Sequence, residues 1–569
     1  MTNFRIEQLA FSSGAVTLMA ASDARHTNWP VVYTLDDGQE IYVGESLNVV
    51  TRMRQHLDSP EKDRLKLIRV VVDDTFNKSV CLDLESYLIR LLAGDSKYRV
   101  LNRNEGITNA DYFGRAKYQE TFNEIFEELF HAGVFTRTIP QIENGDLFKL
   151  SPFKALNHDQ ATAIVDILEG LFHDIKINGR STTVIQGDPG TGKTIIAIYL
   201  IKLIQDIATT VTIEHLDKDS IFSDFFVEEN RKLLEGFRIA FVVPQQSLRA
   251  SIQKVFHKTP GLHKDMVLTP FEVGESDQRF DLIIVDETHR LNQRANQPSA
   301  AQNRKFAEIN AKLFGADDNV KTQADWITAQ SNHQIFLLDP AQTIRPADLP
   351  RPVQAQLLAQ AKRPYRLLSQ MRVRGGVDYI EYIRKIFGSG PPNRQTFVNY
   401  EFRLYDDLSD MYAAILQKEK EVGLARLVAG FAWPWKSKTS SSVYDIEIDE
   451  CQLRWNTVAR DWINSPRSIA EVGSIHTVQG YDLNYAGVIV GLDLRYDPVA
   501  NQLVVDRDSY HDKKGKENNP RLGVRYTDDD LLRFITNIYG VLCTRGIMGT
   551  YLYICDPQLR QYIRRFVTN

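Results

Sequence analysis

The stretch Thr183-Val184-Ile185-Gln186-Gly187-Asp188-Pro189-Gly190-Thr191-Gly192-Lys193-Thr194, followed by Ile195-Ile196-Ala197-Ile198-Tyr199-Leu200-Ile201-Lys202-Leu203-Ile204, decides how this chain is read. An apolar strand passes through a GxxxxGKT turn into a helical run, the context in which that spacing forms a phosphate-binding P-loop. Gly187, Gly190 and Gly192 let backbone N–H groups turn toward phosphate oxygens at a helix N-terminus, and Pro189 and Thr191 belong to the same loop. Lys193 is placed to bridge the terminal phosphates, and the Thr194 hydroxyl to ligate Mg²⁺.

Downstream, Leu282-Ile283-Ile284-Val285 runs into Asp286-Glu287-Thr288-His289, setting two acids at the carboxyl end of a second strand. Alone, such a pair reads as solvated loop charge; beside a P-loop, Asp286 becomes a water-mediated Mg²⁺ ligand and Glu287 the group that polarises the attacking water. Ile239-Ala240-Phe241-Val242-Val243 and Ile335-Phe336-Leu337-Leu338 are further short apolar runs. Runs of this kind predict an α/β fold with a parallel sheet covered by helices on both faces.

From about residue 150 to residue 569 the order and spacing of short motifs resemble helicase superfamily 1, and more narrowly the family that includes the helicase-like part of Schlafen proteins. The resemblance implies two RecA-like domains and several roles. Gln160, ahead of the P-loop in Leu156-Asn157-His158-Asp159-Gln160, would read adenine and so select ATP. Val243-Pro244-Gln245-Gln246-Ser247-Leu248 would contact single-stranded nucleic acid, and Gln342 in Asp339-Pro340-Ala341-Gln342 would sense the γ-phosphate. Arg372 in Gln370-Met371-Arg372 and Arg545 in Thr544-Arg545-Gly546 would be arginine fingers, whose planar guanidinium stabilises charge building up in transfer. In His476-Thr477-Val478-Gln479-Gly480-Tyr481-Asp482, Gln479 and Gly480 would couple nucleotide state to grip on the strand. Trp433, Trp435 and Trp455 read first as core, with stacking on unpaired bases as the alternative. The stretch 511–523, HDKKGKENNPRLG, reads as an exposed basic loop, solvated or touching phosphates.

Nearer the N-terminus, Val31-Val32-Tyr33-Thr34-Leu35 and Ile41-Tyr42-Val43-Gly44 flank Asp36-Asp37-Gly38-Gln39, a β-hairpin signal. Ser46 is expected to cap a helix on which Asn48, Arg52 and His56 recur every four residues. On the next helix Glu85 falls in one stripe with Cys81, Leu88, Ile89 and Leu92. A carboxylate there is expected to be an ion-pair partner or a metal ligand. Together these residues, over 30 to about 105, resemble the GIY-YIG nucleases. The resemblance implies Tyr33 and Tyr42 as the motif tyrosines, Gly44 closing the second motif, and Arg52 as the helix arginine that steadies phosphorane-like charge. It further implies Glu85 as the ligand of one divalent cation, Mg²⁺ or Mn²⁺, Asn102 as the late polar residue, and His56 at a frequent histidine position. Tyr33, Tyr42 and His56 stay open as alternative proton acceptors. The first motif reads Val-Val-Tyr without its glycine, and eight residues separate the two tyrosines.

The chain of 569 residues exceeds what one core serves. The expected division is a GIY-YIG α/β domain at 1–108, a helical connector at 109–148, and RecA-like domains at 149–355 and 356–569. A formal net charge of −5 leaves the partner undecided, since local basic clefts bind phosphate backbones within acidic proteins. The four cysteines include no CxxC pair, which argues against a zinc site or disulfide framework. With neither a signal-peptide pattern nor an apolar run long enough to span a bilayer, a cytoplasmic protein without membrane partners is expected. The expected activity is ATP-driven movement along DNA, single-stranded or branched, with metal-dependent cutting by the N-terminal domain; bacterial defence against foreign DNA is the setting by analogy. The alternatives are a nucleotide-gated switch that neither unwinds nor cuts, and an enzyme acting on RNA.

Overall fold

The computed structural model describes residues 4–102, 112–153, 156–210, 221–294, 297, 299–339, 342–367, 373–388, 390–438, 440, 442–457, 462–478 and 481–567. They form two compact units: Met1–Glu169 with Ile195–Gly236 and Ile252–Lys264, and Gly170–Thr194 with Phe237–Ser251 and Asp265–Asn569.

The first unit is built on β1 (Phe4–Ala10), β2 (Val31–Asp36), β3 (Glu40–Ser46), β4 (Leu67–Asp73) and β5 (Arg99–Val100), in sheet order β1-β4-β2-β3-β5. Strands β2 and β3 pair antiparallel with Asp36 opposite Ile41. The Asp-Gly turn closes this hairpin, with Gly38 at φ 90° in the left-handed region open to glycine. Alternation along the strands sends Val31, Tyr33 and Leu35 to one face, against Val49 and Met53 of the helix Val49–Leu57. Val32, Ile41 and Val43 face the other way, against Cys81, Leu84 and Leu88 of the helix Lys78–Asp95. The cap of the first helix differs from the expectation. Asn48 is the N-cap, its side chain accepting from the Thr51 N–H at 2.9 Å, while the Ser46 hydroxyl accepts from the Asn48 N–H at 3.0 Å. An amide oxygen two residues beyond the strand reaches a first-turn N–H that Ser46 does not. Phe122, Ile125, Phe126 and Leu129 of the helix Arg115–His131 join the core formed by Lys78–Asp95, so the predicted connector packs as part of this unit.

The second unit carries two parallel sheets. One has β6 (Ser181–Gly187), β7 (Ile239–Val242), β8 (Val267–Leu268), β9 (Phe280–Val285), β10 (Ser331–Leu338) and β11 (Arg363–Leu367), in order β11-β6-β10-β9-β7-β8, every pair parallel. It takes its last strand from beyond residue 355. Its central strands are buried along nearly their whole length, as continuous apolar runs require. The other sheet has β12 (Glu401–Tyr405), β13 (Ala425–Ala429), β14 (Ile446–Ile448), β15 (Cys451–Trp455), β16 (Glu471–Ser474) and β17 (Leu483–Val490). A hairpin of β18 (Leu494–Asp497) and β19 (Gln502–Val505) follows, then β20 (Gly546–Ile554) returns to the sheet. The sheet order is β12-β20-β17-β13-β16-β15-β14, with only the β14–β15 pair antiparallel. Both sheets are mixed α/β layers of the RecA type, as the alternation of strands and helices predicts. Among the described residues no helix is long and apolar enough to cross a membrane.

Candidate nucleotide site and N-terminal site

At the carboxyl end of β6 the P-loop turns with Gly190 at φ 85° and Gly192 at φ 81°, conformations that residues with a Cβ rarely adopt. The Thr191 hydroxyl donates to the Asp188 carbonyl at 2.9 Å, and Gly187 is packed so closely that a Cβ there would lie 2.5 Å from that hydroxyl oxygen. Lys193 donates to the carbonyls of Gly187 at 2.6 Å and Asp188 at 3.1 Å. Thr194 opens toward β9: its hydroxyl donates to Asp286 at 2.7 Å. Hydroxyl and carboxylate oxygens this close form a hard donor set that suits Mg²⁺.

Burial and the neighbouring Glu287 charge push Asp286 up to about 7. For Glu287 burial acts in the same upward sense, but the charges of His289, Lys193, Arg545 and Arg290 outweigh it and lower its pKa. The pair is thus split, with Glu287 the ionised member suited to orient and polarise a water. Glu287 sits at φ 46°, a left-handed conformation uncommon for a residue with a side chain. Its carboxylate lies 3.2 Å from the His289 Nε2 without hydrogen-bond geometry. Burial, against the pull of Glu287, keeps the His289 pKa below its ordinary value.

Gln342 and Arg545 belong to the same unit as this centre. Gln342 donates to Asp339 at 2.7 Å, both buried. Arg545 is buried and donates to the carbonyls of Val541 at 3.2 Å and Tyr481 at 3.5 Å, while its charge reaches Glu287. Gln160 is buried in the first unit, its side chain accepting from the Asn157 N–H at 3.1 Å. Arg372, Gln479 and Gly480 lie outside the described residues. The segment beginning at Val243 leads into the helix Gln246–Lys258, where Ser251 and Tyr481 share a hydroxyl contact of 2.7 Å.

Two arginines that sequence reading did not single out also join the site. Arg290 binds Asp348 at 2.8 Å and approaches His476 Nδ1 at 3.5 Å, linking the acid motif to the His476 segment. Arg384 binds Asp188 of the P-loop at 2.8 Å. The only sequence signal for Arg290 was its place three residues past Glu287; Arg384 had none. Of the tryptophans, Trp455 is buried among Phe431 and Trp435, whereas Trp433 and Trp435 are half-buried. The 511–523 stretch is largely exposed, as expected, with some of its side chains held by the chain itself. Lys516 donates to the carbonyls of Arg507 and Tyr510 at 2.8 and 2.6 Å, and Asn519 to that of Arg294 at 3.4 Å. Lys514 pairs with Glu517 at 2.6 Å, so these lysines are engaged by the chain itself.

In the first unit the hairpin and its flanking helices bring Tyr33, Tyr42 and His56 together. The Tyr33 hydroxyl lies 2.8 Å from His56 Nε2, and the rings of Tyr33 and Tyr42 are 6.3 Å apart. Gly44 permits this closeness, since a Cβ there would fall 2.3 Å from the Tyr33 hydroxyl oxygen. Burial, then the Tyr42 charge, raise the Tyr33 pKa well above its ordinary value against the pull of Arg52; Glu85 adds to the rise. Arg52 is held charged by the same tyrosines in spite of burial. Lys62, from the turn after the helix, lies 2.8 Å from His56 Nδ1 and 3.5 Å from the centre of the Tyr42 ring. Glu85 is half-buried, while Cys81, Leu88, Ile89 and Leu92 of its stripe are buried. Asn102 spends its amide on β3, accepting from the Val43 N–H at 3.0 Å and donating to the Val43 carbonyl at 2.8 Å. Among the described residues no three His, Cys, Asp or Glu side chains cluster. A cation on Glu85 would therefore draw its remaining ligands from water and phosphate oxygens, as Mg²⁺ commonly does.

A glycine-rich phosphate loop at the end of one parallel strand, facing an acid pair two strands away, defines a helicase-like P-loop protein with RecA-type sheets. Residues 180–556 match the family described as Schlafen group 3, DNA/RNA helicase domain, and the chain belongs to that family. It is 27% identical over 405 residues to the uncharacterized protein YPL245W of Saccharomyces cerevisiae, covering 67% of this chain and 83% of that one. Among solved structures, the arterivirus nonstructural protein 10 helicase with DNA shows a TM-score of 0.28 and 11% identity, covering 70% of this chain and 66% of its own. The Pif1 helicase from Candida albicans shows a TM-score of 0.28 and 11% identity, covering 70% and 94%. The chain thus spans just under two thirds of the arterivirus protein's length.

Proposed function

We propose that this protein is an ATP-dependent nucleic-acid translocase or helicase whose N-terminal domain is a GIY-YIG-type, metal-dependent DNA endonuclease. The observation that carries the motor reading is the contact between Thr194 and Asp286 at 2.7 Å, with Glu287 kept ionised by the charges around it. In this reading Thr194 and Asp286 hold Mg²⁺, Lys193 and Arg545 balance phosphate charge, and Glu287 orients the attacking water. When bound, Mg²⁺ neutralises charge on the terminal phosphates. Gln160 would select ATP, and Arg372 and Gly480 would serve the cleft and its coupling. The proposed boundaries are 1–108, 109–148, 149–355 and 356–569, with Arg363–Leu367 of the last segment completing the sheet of the one before it.

The nuclease reading is supported by the convergence of Tyr33, Tyr42, Arg52 and His56 with Glu85 electrostatically coupled to Tyr33. Mg²⁺ or Mn²⁺ on Glu85 would neutralise the scissile phosphate, and Arg52 would steady its developing charge. Single-stranded or branched DNA is the proposed substrate, and defence against foreign DNA the proposed setting. The test is cleavage of plasmid and branched DNA with Mg²⁺ or Mn²⁺, with and without ATP, alongside phosphate release stimulated by DNA or RNA strands. Lys193→Ala is expected to abolish ATP turnover and spare metal-dependent nicking, and Glu85→Ala to do the reverse. ATP binding with neither strand-stimulated turnover nor cutting would favour a nucleotide-gated switch; stimulation by RNA alone would move the substrate to RNA.

A further inference from the structure

The helix Gly376–Ile386 buries Tyr379, Ile380, Tyr382, Ile383 and Ile386 in the core of the second parallel sheet. Arg384 lies off that buried face, and its guanidinium reaches Asp188 at 2.8 Å. Asp188 directly follows Gly187, and the carbonyls of these same two residues accept from Lys193 at 2.6 and 3.1 Å. One P-loop dipeptide therefore holds two cations, one from the loop itself and one from a helix rooted in the other sheet.

Burial works against the Arg384 charge, and the Asp188 hydrogen bond and charge, with Asp339 adding to them, outweigh it. Arg384 thus faces two acids of the nucleotide site, the P-loop Asp188 and the Asp339 to which Gln342 donates. A cation in the last turn of a helix is also favoured by the helix dipole, but that effect fixes neither its reach nor its partner. The Arg384 and Asp188 side chains remain 37% and 40% exposed, and ion pairs with that much solvent contribute little to stability. A phosphate, carrying more charge and matching the planar guanidinium with two oxygens, is the stronger partner.

We propose that Arg384 is a phosphate-binding cation of the nucleotide site and that Asp188 is its resting partner, a latch exchanged for the terminal phosphate when nucleotide binds. The exchange ties the second sheet to the P-loop through a residue outside the recognised motifs. This rests on the reading of the chain as an ATPase.

The test uses the full chain with Mg²⁺, measuring phosphate release and displacement of a fluorescent ATP analogue for Arg384→Gln, Asp188→Asn and the double variant. Arg384→Gln is expected to lower kcat about 100-fold, the scale of a lost transition-state donor. Asp188→Asn is expected to tighten analogue binding severalfold, and that gain should vanish in the Arg384→Gln background, where no latched cation remains. An unchanged kcat in Arg384→Gln, or an Asp188→Asn effect of equal size with and without Arg384, overturns the proposal. Should Arg384→Gln fail to fold, Arg384→Lys keeps charge and stem; a loss of about tenfold supports the fork-specific role, and full activity refutes it. Lys193→Ala separates the two readings. If it turns over ATP like the unaltered chain, the assignment of turnover to this P-loop falls; if it is inactive while Arg384→Gln is fully active, only the latch falls. Analogue binding reads the latch even if hydrolysis is undetectable.

Discussion

The Thr194 hydroxyl donates to Asp286 at 2.7 Å across 92 positions of sequence. Parallel pairing of β6 with β10 and of β10 with β9 brings the two carboxyl ends to one edge of the sheet, where an open α/β fold places its ligands. Because the half-buried hydroxyl and the buried carboxylate are both ligands in the proposed Mg²⁺ site, Asp286→Asn is expected to cut ATP turnover at least about 100-fold while the fold persists. Phosphate release at saturating Mg²⁺ checks this, and turnover near that of the unaltered chain would contradict it.

The same carboxyl group predicts a pH dependence of stability. Asp286 titrates at about 7 in the fold against an ordinary value of 3.8, through burial and the Glu287 charge. Protonation therefore favours the folded state: the contribution is full below the unfolded pKa and is lost as pH rises through about 7. Without Mg²⁺, Asp286→Asn should melt only slightly above the unaltered chain near about pH 5, and that gap should widen by a few degrees near about pH 8. Thermal melts at the two pH values decide; parallel curves would show that the group is not raised.

Glu287 is ionised and aimed by a left-handed backbone at φ 46°. Glu287→Gln keeps the shape and removes the charge that polarises water, so kcat should fall about 100-fold or more with nucleotide affinity retained. Binding of a fluorescent ATP analogue beside steady-state turnover separates the two effects, and a loss confined to affinity would assign Glu287 to binding instead.

Gly44 is the close-packing point of the N-terminal site. Gly44→Ala would set a Cβ 2.3 Å from the Tyr33 hydroxyl oxygen, forcing that ring off His56. Overpacking of this kind costs about 1–3 kcal/mol. Chemical denaturation should show that loss, and metal-dependent cleavage should fall with it; a stable, fully active variant would mean Tyr33 moves without consequence.

Asn102 closes both hydrogen-bonding groups of Val43. Asn102→Ala strands a buried amide and carbonyl, at a cost of about 1–3 kcal/mol. Denaturant midpoints check this. A stability loss carrying the whole activity loss would make Asn102 a clamp on β3, whereas lost cleavage at unchanged stability would give it a part in the chemistry.

What was legible in the sequence was local. The P-loop, the acid pair and the Asp-Gly hairpin each lie within about a dozen residues, so spacing and strand or helix periodicity carry them directly. The cap at Asn48 was missed by two positions, because Ser46 and Asn48 both bear short oxygen-bearing side chains and only the backbone path chooses between them. The stretch 511–523 looked solvated from its charges and is largely exposed, while Lys516 and Asn519 turn to carbonyls that sequence could not place beside them.

By itself, then, the sequence determined that a helix-covered parallel sheet would form, which of its strands would be buried and where a phosphate loop and its acids would sit, since these follow from apolar periodicity and short motifs; the second sheet was implied only by family resemblance. Only the tertiary structure decided which charges meet. The pairing of Arg384 with Asp188, the split between Asp286 and Glu287, and the contact of Tyr33 with His56 join residues from separate elements. Their energies depend on distance and burial, which no spacing along the chain encodes.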